Sequence, residues 1–519
     1  MGKDKEPKGK VLTKELAKQE KMQNKASKKA LKQEKSAPKQ ASKEGKPAQK
    51  KVRKEEKYAK KQMRKAEKSA AKQGRKEAKS AQKLARKKEK VQEKKLSHRP
   101  LRWDKLDNTA LIFPVIAGEG ATNVYRISVT LTEEIQPELL QKALDIVLPK
   151  FNGFNMRLRA GVFWYYFEEN DKPAPRVKLE TKFPCRYIQS KKTNRYLFRV
   201  SYYKCRINLE VFHVLADGMG GMTFIRELTY QYLRLAHPQL LEQKGDNLSD
   251  ATSLNREDSF IRNYKRSKPS GFKKQRAYLI KLDKLPAGEL GVIHGLIPIS
   301  ELKEVARKYD ASINEYLVGL FAWTTYVQCM HKMPSEKPIR IAVPVNLRPY
   351  FNSVTTKNFF VPVSAEFHPT REDYTFEEVV DIIKESLRSQ INKTNLEDLF
   401  SYSVSNQKNN FLRLVPLPIK NLVMRQVYNQ SALANTTTIT NVGKVDVDSI
   451  YEPYIKMIHS FIPMSKGQFI KGTINSYQDT LVFTFSSFFS DTVLQRAYFR
   501  KMAEDGIQVR IETNGVYDE

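Results

Sequence analysis

The first hundred residues of the chain cannot form a hydrophobic core, and that confines any fold to the residues beyond them. Residues 1–100 hold 37 of the 92 Lys and Arg but only 12 of the 57 Asp and Glu, with Tyr58 as their one aromatic and few branched aliphatics. Such a segment cannot bury enough apolar surface to offset the entropy of ordering it. Residues 1–99 therefore read as a Lys-rich, low-complexity basic arm, disordered or helical. The runs 57–68 and 83–95 favour helix by propensity, and scattered Glu residues offer i,i+4 partners.

Order is expected from Pro100 onward, where Leu101, Trp103, Leu106 and the apolar run 110–117 replace the lysines. Hydrophobic periodicity predicts strands over 125–131, 161–167 and 196–203 and a helix over 137–147. Residues 239–275, with Pro269-Ser270-Gly271, look like a crossover between two halves, 100–265 and 276–519. The second half predicts a strand over 292–299 and a helix over 300–309. A further helix, 313–330, is apolar almost all round and so buried, and Ser312 and Glu315 stand at its start in capping-box spacing. Strands over 339–345 and 359–367, an amphipathic helix from Phe376 to Ile391, a strand over 481–487, an Asp491-capped helix stopped by Gly506, and a strand over 507–511 complete it. The class is α/β or α+β with mixed sheets.

No window holds the roughly 18 consecutive apolar residues of a membrane-spanning helix, and the first residues lack the apolar core of a signal peptide. A cytoplasmic protein is expected. Cys185, Cys205 and Cys329 are too few and too widely spaced for a disulfide framework or a metal site, and they read as reduced thiols.

The segment richest in chemistry is His213-Val-Leu-Ala-Asp217-Gly218-Met-Gly220-Gly221. Before it, Cys205, Ile207, Leu209 and Val211 alternate with Arg206, Asn208 and Glu210, the period of a half-buried strand, which puts His213 on the apolar face at the strand's end. There an imidazole can accept a proton near neutral pH if something fixes its tautomer. The glycines are expected to form a positive-φ turn rather than helix, with a helix after it through Ile225, Leu228, Tyr232 and Leu235. A lone His on an apolar face is ordinarily a core histidine, but packing does not demand Asp217-Gly218 four residues on. A phosphate loop, the dinucleotide-binding spacing, a serine nucleophile elbow and a third metal ligand are all missing from the sequence.

His213-x-x-x-Asp217-Gly218 resembles the His-x-x-x-Asp-Gly motif of the coenzyme A-dependent acyltransferase superfamily. That superfamily takes in chloramphenicol acetyltransferase, the plant BAHD acyltransferases, peptide-synthetase condensation domains and alcohol O-acetyltransferases. The opening Leu101-Arg-Trp103-Asp-Lys-Leu106-Asp107, the segment Pro344-Val-Asn-Leu-Arg348-Pro and a Thr440-Asn441-Val-Gly443 turn agree in order and spacing. The resemblance covers residues 100–519 and leaves out the arm. Phe212 stands where condensation domains double the histidine, and the plant enzymes' Asp-Phe-Gly-Trp-Gly is missing, so the alcohol O-acetyltransferase type fits best.

The resemblance implies two chloramphenicol-acetyltransferase-like halves, each a mixed sheet with flanking helices, and an active-site tunnel between them. His213 would be the general base, Asp217 a structural residue paired with Arg348, and Gly218 the residue that permits the turn. Thr440, Asn441 and Gly443 would line the acyl-donor tunnel, where a hydroxyl or amide could bond the oxyanion. No metal and no permanently bound cofactor is implied. Acyl-CoA would be the co-substrate and an alcohol or amine the acceptor, while His459 reads as structural. Residues 1–98 could hold the protein at an anionic membrane at about 1 kcal/mol per Lys or Arg. Nucleic acid is the weaker partner, because neither aromatic interleaving nor Arg-Gly repeats are present. The competing reading is a non-catalytic binding protein whose polybasic arm contacts RNA or anionic membrane.

Overall fold

The structure, a computed structural model, describes residues 102–243, 258–266 and 275–517 together with Met63 and Lys65. The chain divides into two compact units, Met1–Pro100 and Leu101–Glu519. In the first, Met63 and Lys65 are helical and exposed; the arm reading otherwise lies outside the described residues.

The second unit opens with β1 (Trp103–Lys105), β2 (Val124–Leu131), β3 (Met156–Ala160), β4 (Tyr165–Glu169), β5 (Lys178–Leu179), β6 (Phe198–Tyr203) and β7 (Arg206–Phe212). It continues with β8 (Gly291–Pro298), β9 (Ile339–Asn346), β10 (Phe360–Phe367), β11 (Thr437–Lys444), β12 (Ile455–Phe461), β13 (Ile470–Tyr477), β14 (Thr480–Ser487) and β15 (Arg510–Thr513). A five-stranded sheet has the order β12-β2-β7-β6-β5 and a seven-stranded sheet the order β10-β9-β11-β13-β14-β8-β15. Both are mixed: β5 runs parallel to β6, β11 runs parallel to β9 and β13, and the remaining pairs are antiparallel. The expected class, two halves each built on a mixed sheet with flanking helices, is the one observed.

Each sheet has its own core. The helices Pro137–Val147 and Gly218–Ala236 bury Leu140, Leu144, Phe224 and Leu228 against the five-stranded sheet. Against the larger sheet lie Ile313–Cys329, started by the predicted Ser312–Glu315 capping box, and Phe376–Gln390, started by a second box at Thr375. One strand crosses between the halves. β12 lies late in the chain yet pairs antiparallel with β2, Ser460 opposite Ile127, covering an edge of the first sheet and adding Ile455 and Ile458 to its core. His459 is buried on that strand.

Several local expectations are corrected. Residues 161–167 are not one strand: Gly161 N–H donates to the Trp164 carbonyl (2.7 Å), closing the turn between β3 and β4. The last strand begins at Arg510 rather than at 507. Residues 440–443 are not a free turn but the end of β11, where a bulge between Asn441 and Gly443 puts Gly443 at φ +89°. Residues 393–432, for which periodicity raised no expectation, form the helices Lys393–Lys408, Asn410–Leu414 and Leu417–Ala432. The crossover holds the short helices Gln239–Gln243 and Ser259–Arg262, and its residues 244–257 and 267–274 lie outside the described residues.

Candidate active site

β7 ends at Phe212, and His213 N–H continues the pairing by donating to the Asn123 carbonyl (2.8 Å), so the imidazole stands just past the edge of the sheet. Its ring stacks on Phe113 (centroids 4.5 Å apart, 21° between planes), meets Tyr125 edge-on at 5.2 Å and leans on Phe360 from the other half. Burial holds its pKa below the ordinary histidine value, with Asp217 and Asn358 opposing that shift.

The tautomer is set by the hydrogen bonds. His213 Nδ1 lies 3.0 Å from Asn358 Oδ1. Asn358 donates from both Nδ2 (3.0 Å) and its backbone N–H (3.3 Å) to Asp107 Oδ2, and Asp107 Oδ1 accepts from Ala110 N–H (2.7 Å). With its amino group committed to a carboxylate, Asn358 turns its carbonyl oxygen to the imidazole, and an acceptor there requires the proton on Nδ1. Nε2 then keeps its lone pair, the arrangement a general base needs. Asp107 and Asn358 are fully buried, and burial raises the Asp107 pKa to about 7 against the bond from Asn358. Sequence reading missed Asn358. Its one signal is a polar residue between Lys357 and the apolar run that opens β10, and Asp107 shows in the sequence only as the end of the opening segment.

Asp217 faces away from this relay. Its carboxylate takes both arms of Arg348, Nη1 to Oδ2 at 2.8 Å and Nη2 to Oδ1 at 3.0 Å, and also accepts from Gly220 N–H (3.0 Å) and Phe359 N–H (3.1 Å). The Asp217 backbone carbonyl accepts from the Tyr125 hydroxyl at 2.8 Å. Arg348 further donates to the carbonyls of Thr355 and Lys357, both at 2.8 Å. The cluster therefore joins the His213 segment of one half to the loop before β10 of the other.

The glycines act differently from the expectation. Asp217 caps a helix that begins at Gly218, and none of Gly218, Gly220 and Gly221 has positive φ. A Cβ on Gly218 would meet nothing nearer than Val442 at 3.5 Å, an ordinary contact. On Gly220 it would lie 2.4 Å from the Thr356 carbonyl oxygen, and on Gly221 2.5 Å from the Tyr125 hydroxyl. The positions that must be glycine are 220 and 221, because the helix start is pressed between the two halves.

A cavity of about 370 Å³ opens on these residues. Phe113, Asn123, His213 and Asp217 line it from the first half, and Arg348, Thr440, Asn441 and Lys471 from the second. The predicted residues thus meet at one cavity, except Gly443, which is not among its lining. Asn441 uses its carboxamide oxygen to accept from Gly443 N–H (2.8 Å), pinning the bulge, whereas the Thr440 hydroxyl is half-buried on the wall. Lys471, on β13, is the addition that sequence reading missed. It is buried, its ammonium makes no hydrogen bond or ion pair among the described residues, and its pKa is pushed down to about 7 by burial.

No protein-family model matches the sequence, and no curated protein matches it. Solved structures do match the fold. The TRI101 protein of F. sporotrichioides, complexed with coenzyme A and T-2, is 13% identical at a TM-score of 0.53, over 79% of this chain and 99% of that one. The TRI3 trichothecene 15-O-acetyltransferase from Fusarium sporotrichioides is 10% identical at 0.51, over 78% and 94%. The nonribosomal peptide synthetase FmoA3 is 14% identical at 0.50, over 78% of this chain and 44% of that one. The chain shares its fold with these three structures.

Proposed function

We propose that the protein is an acyltransferase that moves an acyl group, acetyl being the expected one, from acyl-CoA to a hydroxyl or amine acceptor, with His213 as general base. The observation that carries this reading is the Asp107–Asn358–His213 relay, which leaves Nε2 unprotonated beside a cavity shared by the two halves. The fold supports it, since TRI3 is an acetyltransferase and TRI101 is solved with coenzyme A.

His213 Nε2 removes the proton of the acceptor as its oxygen or nitrogen bonds to the thioester carbonyl carbon. The tetrahedral oxyanion accepts a hydrogen bond from the Thr440 hydroxyl and collapses with cleavage of the C–S bond. The imidazolium then returns its proton to the departing thiolate, giving the ester or amide and free coenzyme A. Proton transfer by a placed side chain typically contributes about 10²–10⁴-fold, and juxtaposing two bound substrates contributes more. Asp217 and Arg348 act by holding the two halves together. In this reading the basic arm holds the enzyme against an anionic membrane, and the acceptor is lipid-like.

The test measures free thiol release from acetyl-CoA and longer acyl-CoAs against a panel of alcohols and amines. Turnover that falls by at least about 10² in His213→Ala, with the fold intact by circular dichroism, is the expected result. Transfer unchanged in that variant returns His213 to a core histidine. For the arm, vesicle sedimentation over a salt series is compared with RNA binding under the same conditions. Tighter RNA binding at physiological salt removes the membrane reading.

A further inference from the structure

The helix Leu417–Ala432 carries its apolar stripe on the outside. Ile419, Leu422, Val423 and Val427 recur at helical spacing on one face, and all four are exposed, Leu422 at 71%. The opposite side is the one in contact with the protein: Leu417 and Ala432 are buried, and Tyr428, Ser431 and Ala432 line the cavity that holds His213. A surface helix ordinarily does the reverse.

The stripe is not isolated. The preceding short helix exposes Phe411 at 85% and Leu414 at 73%, and the β3–β4 turn exposes Val162 at 71%, together with Phe163 and Trp164. Leu417 N–H donates to the Val162 carbonyl (2.9 Å), and Lys420 Nζ donates to the carbonyls of Phe163 (3.0 Å) and Arg413 (3.3 Å), so turn and helices form one surface. The Lys420 ammonium also lies 3.6 Å from the Trp164 ring centroid. A contiguous apolar surface of this kind marks an interaction site.

Charge indicates the partner. Residues 409–432, which hold the two helices, contain Arg413, Lys420 and Arg425 but no Asp or Glu. An apolar stripe with aromatic neighbours and cations but no acids fits a negatively charged lipid surface, where Trp and Lys sit at headgroup depth while aliphatic side chains enter the acyl boundary. We propose that the outward face of the Leu417–Ala432 helix, with Phe411, Leu414 and the Val162–Trp164 turn, seats on an anionic lipid bilayer. The inner face of the same helix walls the cavity, so docking brings the cavity next to the membrane. The inference does not need the acyl-transfer reading, because vesicle contact is measured whether or not the cavity turns over.

The test uses the full chain with Leu422→Cys carrying an environment-sensitive nitrobenzoxadiazole label, the unsubstituted protein labelled in parallel as control. On phosphatidylcholine vesicles with about 30% phosphatidylserine the label is expected to shift to the blue and to be quenched by brominated acyl chains. The pair Leu422→Asp and Val427→Asp, both at exposed positions, is expected to lower vesicle affinity at least about tenfold with thermal unfolding unchanged. A label that stays in water while the protein pellets with vesicles means the arm alone binds them, and overturns the proposal. So does a dimer in lipid-free solution that the two aspartates dissociate, which assigns the surface to a second copy.

Discussion

Asp217→Asn changes charge without changing shape, and the structure sets how much it should cost. Four donors converge on the carboxylate: both Arg348 arms and the backbone N–H groups of Gly220 and Phe359. An asparagine keeps one oxygen for two of them and turns an amino group toward the other two, so at least one buried donor pair is left facing a donor. Breaking a buried pair by removing one partner costs about 3–5 kcal/mol. Arg348 retains the Thr355 and Lys357 carbonyls and Asn346 Oδ1, so the loss should fall at the low end, about 3 kcal/mol. Arg348→Met strands the carboxylate instead and should cost a similar amount. In Asp217→Asn/Arg348→Met neither charge is left unpaired, and a coupling of at least about 1.5 kcal/mol should reappear as recovered stability. Urea unfolding of the three variants measures this, provided the m-values agree. Losses that add within about 0.5 kcal/mol would refute the argument, because the two side chains would then not share one interaction.

The same geometry sets further outcomes. Activity should fall on acidification through a pKa below the ordinary histidine value, since His213 works unprotonated, and Lys471→Met should move that acidic limb to higher pH by removing a nearby positive charge. Lys471 is held near 7 in the fold against about 10.5 unfolded, so the unfolded chain binds more protons between these values. Lys471→Met should therefore gain a few kcal/mol of stability below pH 7, the gain vanishing as pH rises toward 10.5; equal stability in acid counts against a buried, unpaired ammonium. Asn358→Ala should reduce kcat/KM at least about tenfold and lower the acidic limb further, because the bond that raises the His213 pKa and fixes its tautomer is gone; an unmoved pH profile reduces Asn358 to packing. Gly220→Ala should unfold at clearly lower urea than Gly218→Ala, since only the former drives a Cβ into the Thr356 carbonyl, and equal midpoints would contradict the packing of that helix start.

What the sequence made legible depended on whether a residue's surroundings repeat locally. The strand before His213 shows in the period-two run from Cys205 to Val211, and the buried helix at 313 shows in its all-round apolar text and its Ser312–Glu315 box. The start of the Gly218 helix did not show, because Gly218, Gly220 and Gly221 read as a turn when the chain is taken alone. Gly220 and Gly221 become intelligible only against the Thr356 carbonyl and Tyr125, which arrive from elsewhere in the chain. The relay is more remote still: Asn358 is 145 residues from His213 and 251 from Asp107, and nothing in its neighbourhood tells a buried amide from a surface one. Lys471 escaped for the opposite reason, since periodicity reports which face of β13 it lies on but not that the face opens on a cavity. The helix Leu417–Ala432 has the clearest mismatch, an apolar stripe of helical spacing that its own fold leaves uncovered. Core-seeking periodicity describes a domain folding on itself, so a stripe that satisfies the period and stays exposed is better explained by a surface outside the chain than by the fold.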